Sequence, residues 1–171
     1  MSNRDQPTNA NFLSQLGFVF SVHKLPSVNF FVTRAIVPGF SLTPATVKTP
    51  FSTLHYSPDK MEYNQLAITF KVDEDMTNWI EMYNWCLGVG FPQTFDQYKN
   101  LAALNDMGDG IYSDGNLTIL TSEYNPNIRF HFKSLVPTGM TDLDFTTQGT
   151  DVDYIEATVN FAYTYYTVEK V

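Results

Sequence analysis

Hydrophobic and polar residues alternate along several stretches of this chain, the period-two pattern of strands with one buried and one wet face. In residues 16–22, Leu16, Phe18, Phe20 and Val22 share one side, and Val19, Ser21 and then His23 share the other. Lys24-Leu25-Pro26-Ser27 reads as a turn. Residues 28–37, rich in β-formers, are expected to pair back on the first strand as a hairpin that Pro38-Gly39 ends. Residues 62–72 set Leu66, Ile68, Phe70 and Val72 against Gln65, Ala67, Thr69 and Lys71. Residues 154–166 set Ile155, Ala157, Val159, Phe161, Tyr163 and Tyr165 against Glu156, Thr158, Asn160 and Thr164, the pattern of a long central strand. Three more strands are expected at 116–123, 128–136 and 140–147, divided by Asn125-Pro126-Asn127 and Pro137-Thr138-Gly139 turns.

One segment changes period. Asp73-Glu74-Asp75 places negative charge where a helix start favours it, and the helix is expected to run to about Leu87, with Gly88 as its stop. Met76, Trp79, Ile80, Tyr83 and Leu87 recur at three- and four-residue spacing, one apolar stripe to lay on a sheet. Trp85 falls opposite Met76, near Asn78 and Met82, so it points away from that stripe: either it anchors a contact with another chain or a loop covers it.

Two stretches lack periodicity. Residues 38–58 hold Pro38, Pro44, Pro50 and Pro58 among many Ser and Thr, which excludes a central strand and reads as a long arm, its simplest task contact with a neighbour. Residues 90–115 read as an irregular insertion. The fold expected is mainly β: an antiparallel sandwich or barrel of about seven or eight strands with one flanking helix. It forms a single domain over 1–171 that includes a polar N-terminal extension at 1–11.

Composition narrows the function classes. Aromatics are 15% of the chain, with 14 Phe and 10 Tyr, which suits strands and protein interfaces. The formal charge of -8 comes without any cluster of Lys and Arg, so tight nucleic-acid binding is not expected. No apolar run approaches the roughly 20 residues of a spanning helix, and residues 1–11 have no signal-like pattern, so neither membrane insertion nor general export is expected. The lone Cys86 reads as a buried thiol.

Candidate chemistry is thin. His23, His55 and His131 lack ligand spacing, and a calcium loop begun at Asp106 would need Gly where Ile111 stands, so the run through Asp109 and Asp114 reads as a solvated turn. Asp142 with Asp144, and Asp151 with Asp153, are carboxylate pairs in strands and turns, more simply solubilising than catalytic. No phosphate loop or nucleophile elbow is present. The expectation is a protein without catalytic, metal or cofactor-binding residues.

Three stretches together resemble the tail-tube proteins of contractile-tailed bacteriophages, whose fold is shared with type VI secretion and pyocin tubes: LGFVFSVHKLPSVNFFVTRAIVPGFSL at 16–42, TPFSTLHYSPDKMEYNQLAITFKVDEDMTNWIEMYNW at 49–85 and DYIEATVNFAYTYY at 153–166. The resemblance lies in the order of hairpin, Pro-rich arm, strand, acidic helix start and Trp-bearing helix. It implies a virion structural subunit, assembled in the host cytoplasm, that forms stacked hexameric rings around a channel for DNA delivery. Its partners would be copies of itself, the sheath, and baseplate or terminator proteins, with DNA passing unbound. Gln65, Thr69, Glu156, Thr158 and Asn160 would face the channel, and Phe40, Leu42 and Phe51 would anchor a ring-stacking arm. The alternatives are a tube-initiating baseplate or tail-terminator ring, or, from another class, a β-barrel carrier of a small ligand.

Overall fold

The structure is a computed structural model that describes residues 12–13, 15–90, 93–103, 110–147 and 153–171; the N-terminal extension at 1–11, Asp106, Asp109 and Asp151 lie outside the described residues. Strand β1 (Phe18–Val22) leads into a short helix α1 (Pro26–Phe30), then β2 (Val32–Ile36), β3 (Phe40–Leu42), β4 (Ala45–Lys48), β5 (Thr53–Tyr56), β6 (Met61–Tyr63) and β7 (Leu66–Lys71). Helices α2 (Thr77–Gly90) and α3 (Phe95–Ala103) precede β8 (Ser113–Leu120), β9 (Pro126–Met140), β10 (Glu156–Ala162) and β11 (Tyr165–Lys170). The main sheet has the order β1-β8-β9-β10-β7-β2, with β11 also paired to β9, and every ladder is antiparallel. The chain is thus mainly β and antiparallel, as expected, but the sheet does not close into a barrel, since β1 and β2 end it.

The 15-residue β9 lets one sheet become two layers. Its first half pairs with β8 and β11, its second with β10, and the corner falls at Ser134, whose φ is +57°. A non-glycine residue at positive φ needs outside support. Asp114 of β8 supplies it, accepting a hydrogen bond from the Ser134 N–H at 3.1 Å and one from the Lys133 ammonium. The turn expected at Pro137-Thr138-Gly139 is therefore strand, and residues 141–147 are not. Proline has no N–H for a ladder, and the register of β10 on β9 shifts between Asn160 and Phe161, where Pro137 sits opposite Phe161.

The core is filled by the inward alternates: Phe20 and Val22 of β1, Leu66, Ile68 and Phe70 of β7, Leu117 of β8, Phe132 and Leu135 of β9, and Ala157, Val159 and Phe161 of β10. Helix α2 covers them. Residues 28–37 do not fold back on β1. Pro26 starts α1, with its missing N–H harmless in a first turn, and the Asn29 amide engages both backbone groups of Val22, at 2.9 and 3.2 Å, thereby capping the strand's end. β2 emerges beyond and pairs with β7 instead. The stretch expected to be irregular, 90–115, contains α3 and the start of β8.

Helix α2 presents the face opposite to the expected stripe. Its buried residues are Asn78, Met82, Trp85 and Gly88, while Ile80 and Tyr83 are exposed and Gly88 lies inside the helix instead of ending it. Two contacts fix that rotation. The Asn78 amide donates to the Lys71 carbonyl at 2.8 Å where β7 ends, and the Trp85 indole N–H donates to the Ile111 carbonyl at 2.8 Å. Asp73-Glu74-Asp75 form the turn before the helix, closed by a bond from the Met76 N–H to the Asp73 carbonyl.

Candidate assembly surfaces

The chemistry-bearing side chains are dispersed over the described residues, His23 lining a small open recess with Ser21, Val22, Pro26 and Asn29. Among the described residues, no cluster of His, Cys, Asp and Glu could hold a metal ion. His23 follows β1, His55 lies on β5 and His131 on β9.

The outward alternates of β2, β7 and β10 make one mainly polar face, with Ile36 and Ala67 as its apolar members. Thr69 and Thr158 stand directly opposite each other with hydroxyls 2.9 Å apart, Ala67 faces Asn160, and Lys71 faces Glu156. Four of the five candidate channel residues, Thr69, Glu156, Thr158 and Asn160, therefore share this face; Gln65 is exposed just ahead of β7. The threonine hydroxyls bond within the sheet: Thr33 to the Thr69 carbonyl at 3.4 Å and Glu156 at 3.3 Å, and Thr138 to the Asn160 carbonyl at 3.0 Å. The face is not acidic, because Arg34 and Lys71 share it with Glu156.

The Pro-rich segment is a β-ribbon. β2 pairs with β7, β3 with β6 and β4 with β5 in nearly constant register, from Val32 opposite Phe70 through Phe40 opposite Tyr63 to Lys48 opposite Thr53. Residues 32–71 are thus one interrupted hairpin: its proximal part belongs to the main sheet and its distal part leaves it. Each distal ladder sets apolar residues on one face, Phe40 and Leu42 with Met61 and Tyr63, then Ala45 and Val47 with Leu54 and Tyr56. Phe51, at the connection between β4 and β5, is 99% exposed, and Phe40 and Leu42 are also exposed.

Both feet of this ribbon are tied to the body. The Tyr163 hydroxyl donates to the Asn64 carbonyl at 2.8 Å, the Tyr166 hydroxyl to the Pro38 carbonyl at 3.4 Å, and the Tyr63 ring packs on both tyrosines, 5.7 and 5.4 Å between centroids. Behind them stands the fully buried Phe132, 5.2 Å from Tyr163. Burial, reinforced by the neighbouring Tyr166 and Tyr63, pushes the Tyr163 phenol up to about 12, so it stays a donor at any neutral pH. The long strand expected over residues 154–166 is broken: β10 ends at Ala162, Tyr163 lies in the short connection that follows, and Tyr166 belongs to β11. Nothing in the sequence marks the partners of Tyr163 and Tyr166, which are backbone carbonyls at distant positions.

Trp85 is not an outward anchor. It is 2% exposed, sits 5.8 Å from the Phe161 ring with the Lys24 ammonium 5.4 Å from its own ring, and its covering segment is the one through Ile111. The exposed large apolar side chains of α2 are Ile80 and Tyr83, and Tyr83 stacks at 5.2 Å on Trp79.

No protein-family model and no curated protein matches the chain. Solved structures do. A chain in the cryo-EM structure of the tube-terminating cap of the anti-feeding prophage aligns over 100% of both chains with a TM-score of 0.68 at 9% identity. A chain in the six-fold symmetrised baseplate of the same particle covers 94% of this chain and 97% of its own, with TM-score 0.65 and 9% identity. A chain in the extended sheath–tube complex of an extracellular contractile injection system, PVC, covers 95% and 94%, with TM-score 0.58 and 10% identity. At such identities the likeness is one of fold: this chain has the fold found in the tube, cap and baseplate regions of contractile injection systems.

Proposed function

We infer that this chain is a structural subunit of a contractile-tail inner tube, closing with copies of itself into hexameric rings that stack into a conduit for DNA delivery. The observation that carries the reading is that, among the described residues, the main sheet is left with unlike open edges: β1 and β2 at the two ends of its strand order, and β11, which is bonded to β9 alone. β1 has an uninterrupted register, no proline and no charged residue, so nothing blunts it against a further strand. Two different edges pair head to tail, and such heterologous contacts close into a ring when the rotation allows. The polar face of β2, β7 and β10 then lines the channel, with threonine hydroxyls already satisfied within the sheet and few left to hold a passing polymer. The ribbon carrying Phe40, Leu42 and Phe51 reaches the next ring, and sheath and baseplate or terminator proteins complete the tail of the virion.

Electron microscopy of the purified chain tests this: rings or hollow tubes are expected, and a chain that stays monomeric at high concentration refutes it. A second reading, a ring that caps or terminates the tube, is supported by the full-length match to a chain of the anti-feeding prophage cap structure. A cap gives discrete rings at every concentration, whereas a tube subunit gives lengths that grow with concentration.

A further inference from the structure

The main sheet has two unlike ends. Lys71 opposite Glu156, the Val72 N–H bonded to the Ile155 carbonyl at 2.9 Å, the Thr141 N–H to the Thr158 carbonyl at 2.9 Å and the Lys71 N–H to the Phe31 carbonyl at 3.0 Å bring together four strand termini. They are the exit of β7, the entry of β10, the exit of β9 and the entry of β2. This end exposes three aromatic side chains from three separate segments: Phe30 at 85%, Phe145 at 69% and Tyr154 at 72%. The segments entering and leaving this end also carry Asp73, Glu74, Asp75, Asp142, Asp144 and Asp153, against the single cation, among the described residues, of Lys71, whose ammonium stands 4.8 Å from the Tyr154 ring.

At the opposite end, where Ile36 stands opposite Ala67, the ribbon continues β2 and β7 away from the body. At about 3.3 Å per residue, residues 40–50 reach up to roughly 35 Å beyond the sheet. The outer half, β4, β5 and their connection, carries Lys48 and His55 but no carboxylate, along with the apolar face of Val47, Leu54 and Tyr56 and the bare Phe51 ring. Apolar and cationic groups thus lie at one end, and aromatic groups with carboxylates in excess over Lys71 at the other. The two surfaces look in opposite directions along the strands, so within one molecule they cannot meet.

We propose that they meet between molecules: the outer ribbon of one copy docks on the aromatic, carboxylate-rimmed end of a second copy, with Phe51 seated among Phe30, Phe145 and Tyr154. The contact uses different surfaces on its two sides, so it repeats without closing and leaves a free ribbon at one end and a free receiving end at the other. Charge complementarity sets its direction and register, because a ribbon facing another ribbon brings no opposite charges together. The inference rests on the ring-stacking reading of the ribbon and adds the surface that receives it.

The test mixes two singly substituted chains, Phe51→Cys and Phe145→Cys, in a Cys86→Ser background under oxidising conditions. A disulfide between copies is expected, and none when Phe51→Cys is mixed with Thr118→Cys on the outer face of β8. In parallel, Asp142→Lys with Asp144→Lys, both on exposed non-strand positions, raises the critical concentration for tube growth about tenfold or more while rings still form. Adding Lys48→Glu to that variant lowers it again. If tubes grow while the Phe51–Phe145 pair stays unlinked and the lysine variant elongates like the parent, this docking is overturned and the tube reading stands. If no ring or tube forms at all, the tube reading falls and this inference with it. If Phe51→Ser leaves tube growth unchanged, the ribbon does not stack rings and the proposal fails at that step.

Discussion

Replacing Trp85 by Phe separates a core role from an interface role. The substitution removes the indole N–H that reaches the Ile111 carbonyl at 2.8 Å, worth about 0.5–1.5 kcal/mol net. It weakens the contact with the Lys24 ammonium 5.4 Å from the ring, worth about 0.5–1 kcal/mol. It also leaves a void beside Phe161 where the wider ring system stood, at roughly 1 kcal/mol. Together the subunit loses about 2–4 kcal/mol. With a urea slope of about 2 kcal/mol per molar the midpoint falls by about 1–2 M, and the melting temperature by roughly 5–10 °C. Far-UV circular dichroism of the dilute, dissociated subunit reads both. Unchanged subunit stability combined with lost assembly would refute the reasoning, since that is the signature of a side chain whose partner lies on another chain.

Other outcomes follow from single contacts. Gly115→Ala places a methyl 2.4 Å from the Leu135 Cδ1 and 3.1 Å from the Val22 Cγ2, both buried with nowhere to swing, so overpacking lowers stability by about 1–3 kcal/mol in the same denaturation assay. The folded Tyr163 phenol titrates near 12 against an ordinary value of 10.0, so its stabilisation is full below about pH 10 and is lost as pH rises toward 12. The parent's alkaline stability profile should show this loss and Tyr163→Phe should not, with the phenolate absorbance of the parent rising correspondingly late. At Asp114, burial works to raise the carboxyl, but the hydrogen bonds from Lys133 and the Ser134 N–H, with the charges of Lys133 and His23, outweigh it and hold the group below its usual 3.8. Its contribution is present above that value and lost as pH falls through the lowered one, so Asp114→Asn flattens the acid limb of a stability–pH curve.

Alternation alone determined which side chains of β1, β7 and β10 fill the core, because in a one-sided strand the burial face follows from parity whatever the strand's neighbours are. It also determined that Thr69, Glu156, Thr158 and Asn160 share a face, although Gln65 stands outside the strand. The proline content of residues 38–58 excluded a central strand and marked a long arm, whereas the pairing of that arm into a ribbon appeared only in the structure. Only the tertiary structure decided the rest, and in each case the cause is a contact between residues far apart in the chain. The face of α2 could not be read from its apolar stripe, because the helix is apolar on both sides and a buried polar residue, Asn78, fixes its rotation by reaching the Lys71 carbonyl. The partner of β2 depended on the Asn29 amide taking the place of a returning strand at Val22. The corner in β9 depended on Asp114, twenty residues before Ser134, and so looked like a solvated turn residue in the linear pattern. Local periodicity records which way a side chain must point; where a backbone group finds its partner across the fold is a matter of three-dimensional hydrogen-bond satisfaction, which leaves no period in the sequence.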